Sequence, residues 1–132
     1  MQQVNNVLLI DDDAIFNLIN KKFIEKSKFS LNIKSYSNAI EALNYLKLLV
    51  ITDVLKFPDV IFLDMNMPEI NVWAFLDELS TFPQPVLKVC RLFALTSTVD
   101  EEDIEKGKKY SIVCNFISKP LTVEKLETLF CN

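Results

Sequence analysis

The chain has 132 residues, half of them hydrophobic, with a single glycine and a formal net charge of -4. That length fits one domain around one core, and the acidic balance argues against a nucleic-acid surface, which needs concentrated basic charge. Three cysteines with no CxxC spacing, and no histidine at all, argue against a zinc site and against a disulfide framework.

Val4, Val7, Leu8, Leu9 and Ile10 predict a first strand, buried on both faces towards its end. The run is too short for a signal-peptide core and ends in Asp11, Asp12 and Asp13; no apolar stretch approaches transmembrane length. The period then changes. Ile15, Phe16, Ile19 and Phe23 share one helical face, with Asp13 as N-cap. Leu31 to Tyr36 alternates weakly and reads as a second strand. Asn38 and Glu41 have capping-box spacing, ahead of Ile40, Leu43, Leu46 and Val50 on a second helix. Val60 to Leu63, after Pro58, is the continuous apolar run of a central parallel strand.

Trp73, Leu76 and Leu79 follow on a third helix, ended by a turn region at Pro83 and Pro85. Val89 to Leu95 forms a fourth strand, and Thr98 with Glu101 offers a capping box for a fourth helix. Lys106, Lys108 and Lys109 read as the solvated end of that helix. Ile112 to Ile117 is the fifth strand. Val123, Leu126, Leu129 and Phe130 lie at helical spacing on the last helix. Cys90 and Cys114, beside apolar residues, read as reduced core fillers of a cytosolic protein. Strict strand–helix alternation implies an α/β fold: a doubly wound, five-stranded parallel sheet with helices on both faces.

In such sheets, sites form outside the carboxyl ends of the strands. The first strand delivers Asp11, Asp12 and Asp13; the third delivers Asp64; the fourth, Thr96 and Ser97; the fifth, Ser118 and Lys119, then Pro120. Carboxylates crowded in one cleft repel, and a hard divalent cation relieves them; carboxylates, a backbone carbonyl and waters suit Mg²⁺. A carboxylate nucleophile, a metal, an ammonium and a hydroxyl together stabilise a phosphoryl group in transfer. Taken singly, an Asp after a strand is often a helix cap, a Lys-Pro a turn and a Thr-Ser a cap. Their coincidence on four strand ends carries the functional reading.

Four segments, LLIDDDAIF, FPDVIFLDMNMPEI with its D-x-N-M-P signature, LFALTSTVD and FISKPLTVEKL, resemble those of receiver domains of two-component response regulators. The resemblance covers the whole chain. It implies the flavodoxin-like (βα)5 fold with strand order 2-1-3-4-5, and a phosphoacceptor at Asp64. Asp12 would ligate Mg²⁺ (or Mn²⁺) directly, Asp11 through water and Asn66 through its backbone carbonyl. Thr96 and Lys119 would bind the phosphoryl oxygens, and Lys119-Pro120 would be cis. Phe116, three residues before Lys119, occupies the position of an aromatic switch, although a plain core aromatic is an equal reading. The family usually has glycine eight residues after the phosphoacceptor, where this chain has Val72, which puts the path of that loop in question. Gly107 falls where helix is expected, at a cost of about 1 kcal/mol relative to alanine.

The fourth predicted helix is the least amphipathic, with only Val99 and Ile104 apolar between Thr98 and Lys109. Phosphorylation would draw Thr96 inwards, let Phe116 turn in, and change the face made by the fourth helix, fifth strand and fifth helix. Because the chain ends at Asn132, right after the last helix, a stand-alone receiver over residues 1–132 without an output module is expected, and reduced thiols imply a cytoplasmic one. A histidine kinase or phosphotransfer protein would supply phosphate, and an unnamed protein would receive the signal. Such a receiver would be a monomer or weak homodimer, touch neither nucleic acid nor membrane, and be no enzyme beyond phosphorylating and dephosphorylating itself. The alternatives are a phosphorylation-independent binding module on the same fold, and a haloacid-dehalogenase-like phosphatase. The latter needs an acid two residues after the nucleophile, where this chain has Asn66.

Overall fold

The computed structural model describes residues 3–68, 70–129 and 131. Five parallel strands, β1 (Asn6–Ile10), β2 (Asn32–Tyr36), β3 (Val60–Asp64), β4 (Arg91–Thr96) and β5 (Val113–Ser118), stand in the order β2-β1-β3-β4-β5. The order reverses at β1, so the segments that follow the paired strands β1 and β3 leave to opposite faces of the sheet and a crevice forms at the carboxyl ends of these strands. Strand side chains point alternately to two faces, and two apolar clusters result. Leu8, Ile10, Ile61, Leu63, Leu92 and Ala94 pack on one side of the sheet. Val7, Leu9, Val60, Phe62, Phe93 and Leu95 pack on the other.

The first cluster is closed by α2 (Ala39–Thr52), α3 (Val72–Leu79) and α4 (Gln84–Val89) through Leu46, Leu49, Leu76, Leu79, Val86 and Leu87. The second is closed by α1 (Ala14–Ser27) and α6 (Val123–Glu127) through Ile24 and Leu126. A further helix, α5 (Glu101–Gly107), lies beside β5 and buries only Gly107. Asp13 caps α1, and Asn38 caps α2 by accepting from the backbone N–H groups of Ile40 and Glu41, as the sequence implies. No helix among the described residues is long and apolar enough to cross a membrane.

Several expectations are corrected. Only part of the predicted apolar face of α1 turns inward: Phe16 and Phe23 are half-buried, Phe23 against the second cluster, but Ile15 is 67% exposed and Ile19 is exposed too, and the buried residues are Asn17, Asn20, Ile24 and Ser27. The Pro83–Pro85 region is not a plain turn. Pro83 caps α4 and Pro85 lies in its first turn, where a missing N–H leaves no bond unmade. This helix uses up Val89, so β4 starts at Arg91. Asp100, rather than Thr98, caps α5, accepting from Glu102 N at 2.9 Å. The last helix ends at Glu127; Leu129 still packs on the second cluster, and Phe130 lies outside the described residues.

The cysteine expectation fails for one pair. Cys114 and Cys131 form a disulfide, with Cα atoms 4.4 Å apart, whereas Cys90 is free and buried. The register passes from Leu92↔Val113 to Phe93↔Asn115, so Cys114 is an extra residue in a bulge. Like Leu129, it packs on the α1–α6 side, and there it meets the chain beyond α6. Spacing along a sequence does not show such adjacency.

Candidate functional site

The carboxyl ends of β1, β3, β4 and β5 bring the site together. Asp64 ends β3 and is 1% exposed; Asp11 follows β1 and is 2% exposed. One carboxylate oxygen from each of Asp11, Asp12 and Asp64 lies within 4.8 Å of the others. Lys119 enters from β5, its Nζ 2.7 Å from Asp64 Oδ1 and 3.4 Å from Asp11 Oδ2. The same ammonium sits 4.8 Å from the centre of the Phe16 ring, a favourable face for a cation.

The backbone holds these carboxylates in place. Asn66 N donates to Asp64 Oδ1 at 2.8 Å, and Asp13 N donates to Asp11 Oδ1 at 2.9 Å. Burial pushes the Asp11 carboxyl up to about 6; the Asp13 N–H opposes this, the charge of Asp64 adds to it and Lys119 opposes it. Asp11 Oδ2 is buried and accepts no hydrogen bond, since Lys119 stands off as a longer ion-pair contact. Three acidic side chains face one ammonium, and one desolvated oxygen lacks a donor. This donor set fits a hard divalent cation.

Thr96, which ends β4, is buried, but its hydroxyl donates to Thr98 O at 2.8 Å, with Asn66 Oδ1 a longer alternative at 3.3 Å. Asn66 Oδ1 also accepts from Ser97 N at 2.8 Å, so it holds the loop after β4. Phe116, half-buried on β5, packs its ring against Gly107: a Cβ added there would lie 2.7 Å from Phe116 Cε1. Val72 is the buried first residue of α3, capped by Asn71, and among the described residues Lys28 alone has a positive φ. The glycine departure therefore asks nothing unusual of the backbone. Lys119-Pro120 is cis, as the resemblance implies.

Three further residues shape the site and escaped the sequence reading. Lys125 Nζ donates to Ser118 O at 2.8 Å and to Pro120 O at 3.1 Å, gripping the chain on both sides of Lys119. Asn17 Nδ2 donates to Asp11 O at 2.9 Å, and Leu121 N donates to Asn20 Oδ1 at 3.0 Å. The one available signal was that Asn17 and Asn20 share a helical face with Ile24 and Ser27.

A family model, that of the response regulator receiver domain, matches residues 7–130. Among curated relatives, the probable C4-dicarboxylate response regulator DctR of Priestia megaterium is 29% identical over 92% of this chain and 48% of its own length. The sensor histidine kinase CheAY of Helicobacter pylori is 29% identical over 93% of this chain and 14% of its own. The chain thus spans about half, or much less, of the curated relatives it matches. The crystal structure of a two-component response regulator from Cytophaga hutchinsonii superposes with a TM-score of 0.85 at 32% identity, covering 96% of this chain and 93% of that one. With four strand ends converging on one acidic cleft and a family model spanning nearly its whole length, the chain belongs to the response regulator receiver domain family, the phosphoacceptor domain of two-component signalling.

Proposed function

We propose that Asp64 is the phosphoacceptor of this receiver. The supporting observation is the placement of Lys119 Nζ 2.7 Å from Asp64 Oδ1, beside the Asp11 and Asp12 carboxylates. In the transfer, an Asp64 carboxylate oxygen attacks phosphorus, a P–O bond forms, and the bond from phosphorus to the donor's imidazole nitrogen breaks. The imidazole leaves with the electron pair and takes a proton. Asp11, Asp12, Asp64 and the Asn66 backbone carbonyl would hold Mg²⁺ or Mn²⁺, which supplies positive charge to the phosphoryl oxygens. Lys119 moves from the carboxylates to one phosphoryl oxygen, and the Thr96 hydroxyl leaves Thr98 O for another.

Receiver domains take phosphate from histidine kinases or phosphotransfer proteins, and we assign this chain a donor of that class. Self-phosphorylation from small acyl phosphates and slow hydrolysis of the product belong to the same reading, as does residues 1–132 acting as one receiver unit. The signal would leave through α5, β5 and α6, with Thr96 and Phe116 as the switch, towards a partner protein. Intact-mass analysis after incubation with Mg²⁺ and acetyl phosphate tests the assignment. The expected outcome is a gain of one phosphoryl group, lost in Asp64→Asn and with chelator; an unchanged mass under every donor overturns it.

A further inference from the structure

Helix α1 buries Ile24 in the core, but in its first two turns apolar side chains face outward and amides face inward. Ile15 and Leu18 face solvent, whereas Asn17 is 7% and Asn20 1% exposed. A buried carboxamide is unfavourable unless it is hydrogen-bonded, and each of these is only half satisfied. Asn17 Oδ1 and Asn20 Nδ2 are buried without hydrogen-bond partners. A leucine at either position would avoid that cost, so packing alone does not account for asparagine. What the bonded halves hold is more informative. Asn17 Nδ2 donates to Asp11 O at 2.9 Å and to Tyr36 O at 3.3 Å, tying the acid-bearing loop to the end of β2. Asn20 Oδ1 accepts from Leu121 N at 3.0 Å, two residues after Lys119 and 101 residues away in sequence.

We propose that Asn17 and Asn20 are positioning residues, through which one rigid helix sets the acid loop after β1 and the lysine loop after β5 at a fixed separation around Asp64. The inference rests on the reading of Asp64 as phosphoacceptor and extends it to two side chains that touch neither phosphate nor metal. The two asparagines act on different partners, so their loss separates into different defects. Asn17 steadies Asp11 and acts on cation binding. Asn20 steadies Lys119 and acts on phosphoryl transfer.

The experiment compares the unaltered protein with Asn17→Leu, Asn20→Leu and Asn20→Asp. Each is measured for Mg²⁺ dissociation constant by calorimetry, phosphorylation rate by acetyl phosphate at saturating Mg²⁺, and thermal unfolding. Asn17→Leu is expected to raise the Mg²⁺ constant roughly tenfold, as loss of a support behind a metal ligand does. Asn20→Leu is expected to slow phosphorylation by about tenfold to a hundredfold while leaving the Mg²⁺ constant in place. Asn20→Asp, which keeps an acceptor for Leu121 N–H, should recover most of the rate. Folded variants with both constants unchanged, whatever their melting temperature, would overturn the inference and leave the Asp64 reading standing. An unaltered protein that takes up no phosphoryl group would overturn that reading and this inference with it. Should Asn20→Leu fail to fold, Asn20→Ala replaces it. In the unaltered protein the Leu121 amide should exchange as slowly as those of the strands, and exchange at an exposed-loop rate contradicts the bond.

Discussion

At the scale of the residue, the single glycine shows how a local cost is offset by a contact elsewhere. Gly107 ends α5, where alanine would gain at most about 1 kcal/mol in helix propensity. An added Cβ, however, would lie 2.7 Å from Cε1 and 3.0 Å from Cζ of Phe116. Overpacking of that kind costs roughly 1–3 kcal/mol, so the clash outweighs the propensity. Gly107→Ala should therefore lower stability by about 1 kcal/mol in urea unfolding. In a Phe116→Ala background the same change should become neutral or stabilising. If it is equally harmful in both backgrounds, Gly107 is not the seat of the ring. The Phe116 ring thus rests on the one position in the chain that has no side chain to obstruct it.

At the scale of the element, α5 is tied to its surroundings near its carboxyl end. Its first turn carries Glu101, Glu102 and Asp103, and Gly107 is its one buried residue. At its far end Lys106 Nζ stands 4.6 Å from the Trp73 ring centre, and Tyr110 stacks on Trp73 at 6.0 Å and donates to Asp77 Oδ1 at 2.7 Å. A shift of α5 would disturb this strap, and Trp73 is the only tryptophan in the chain. Its fluorescence should change when acetyl phosphate is added with Mg²⁺, and should stay constant in Asp64→Asn; an unchanged signal during confirmed phosphorylation would place the movement elsewhere. The last strand and helix carry a second tie. The Cys114–Cys131 disulfide closes a separation of 17 residues that contains Lys119 and all of α6. Chain-entropy reasoning assigns such a loop roughly 3 kcal/mol. Cys131→Ser should lower the unfolding free energy by about that amount under oxidising conditions and by little under reducing ones. Equal stability in both would show that the bridge does not constrain the unfolded chain.

At the scale of the whole molecule, the sheet was legible because its strands are short apolar runs separated by capped helices. The continuous run Val60 to Leu63, set after Pro58, has the pattern of a strand buried on both faces, and Asp13 and Asn38 marked helix starts by the chemistry of their side chains. The cleft was legible because strand ends converge in any such sheet, so Asp11, Asp64, Thr96 and Lys119 could be grouped before their distances were known. Hidden features depend on contacts distant in sequence. Periodicity placed Phe23 against the core but also turned Ile15 and Ile19 inward where they are exposed, since Asn17 and Asn20 are buried instead, for bonds to Asp11 and Leu121 that no local pattern reveals. Two prolines masked α4, because proline breaks a helix interior but is tolerated in its first turn. The disulfide needed the meeting of a strand bulge with the chain beyond α6.

The central claim is that the carboxylate held by Lys119 at the end of β3 carries the phosphoryl group, and borohydride reduction tests it most directly. An acyl phosphate is reduced to the alcohol while free carboxylates are untouched, so a phosphorylated aspartate becomes homoserine. After phosphorylation in Mg²⁺, peptide mapping should find homoserine at position 64 and at no other aspartate. Homoserine at Asp11 or Asp12, or conversion that persists in Asp64→Asn, would contradict the account.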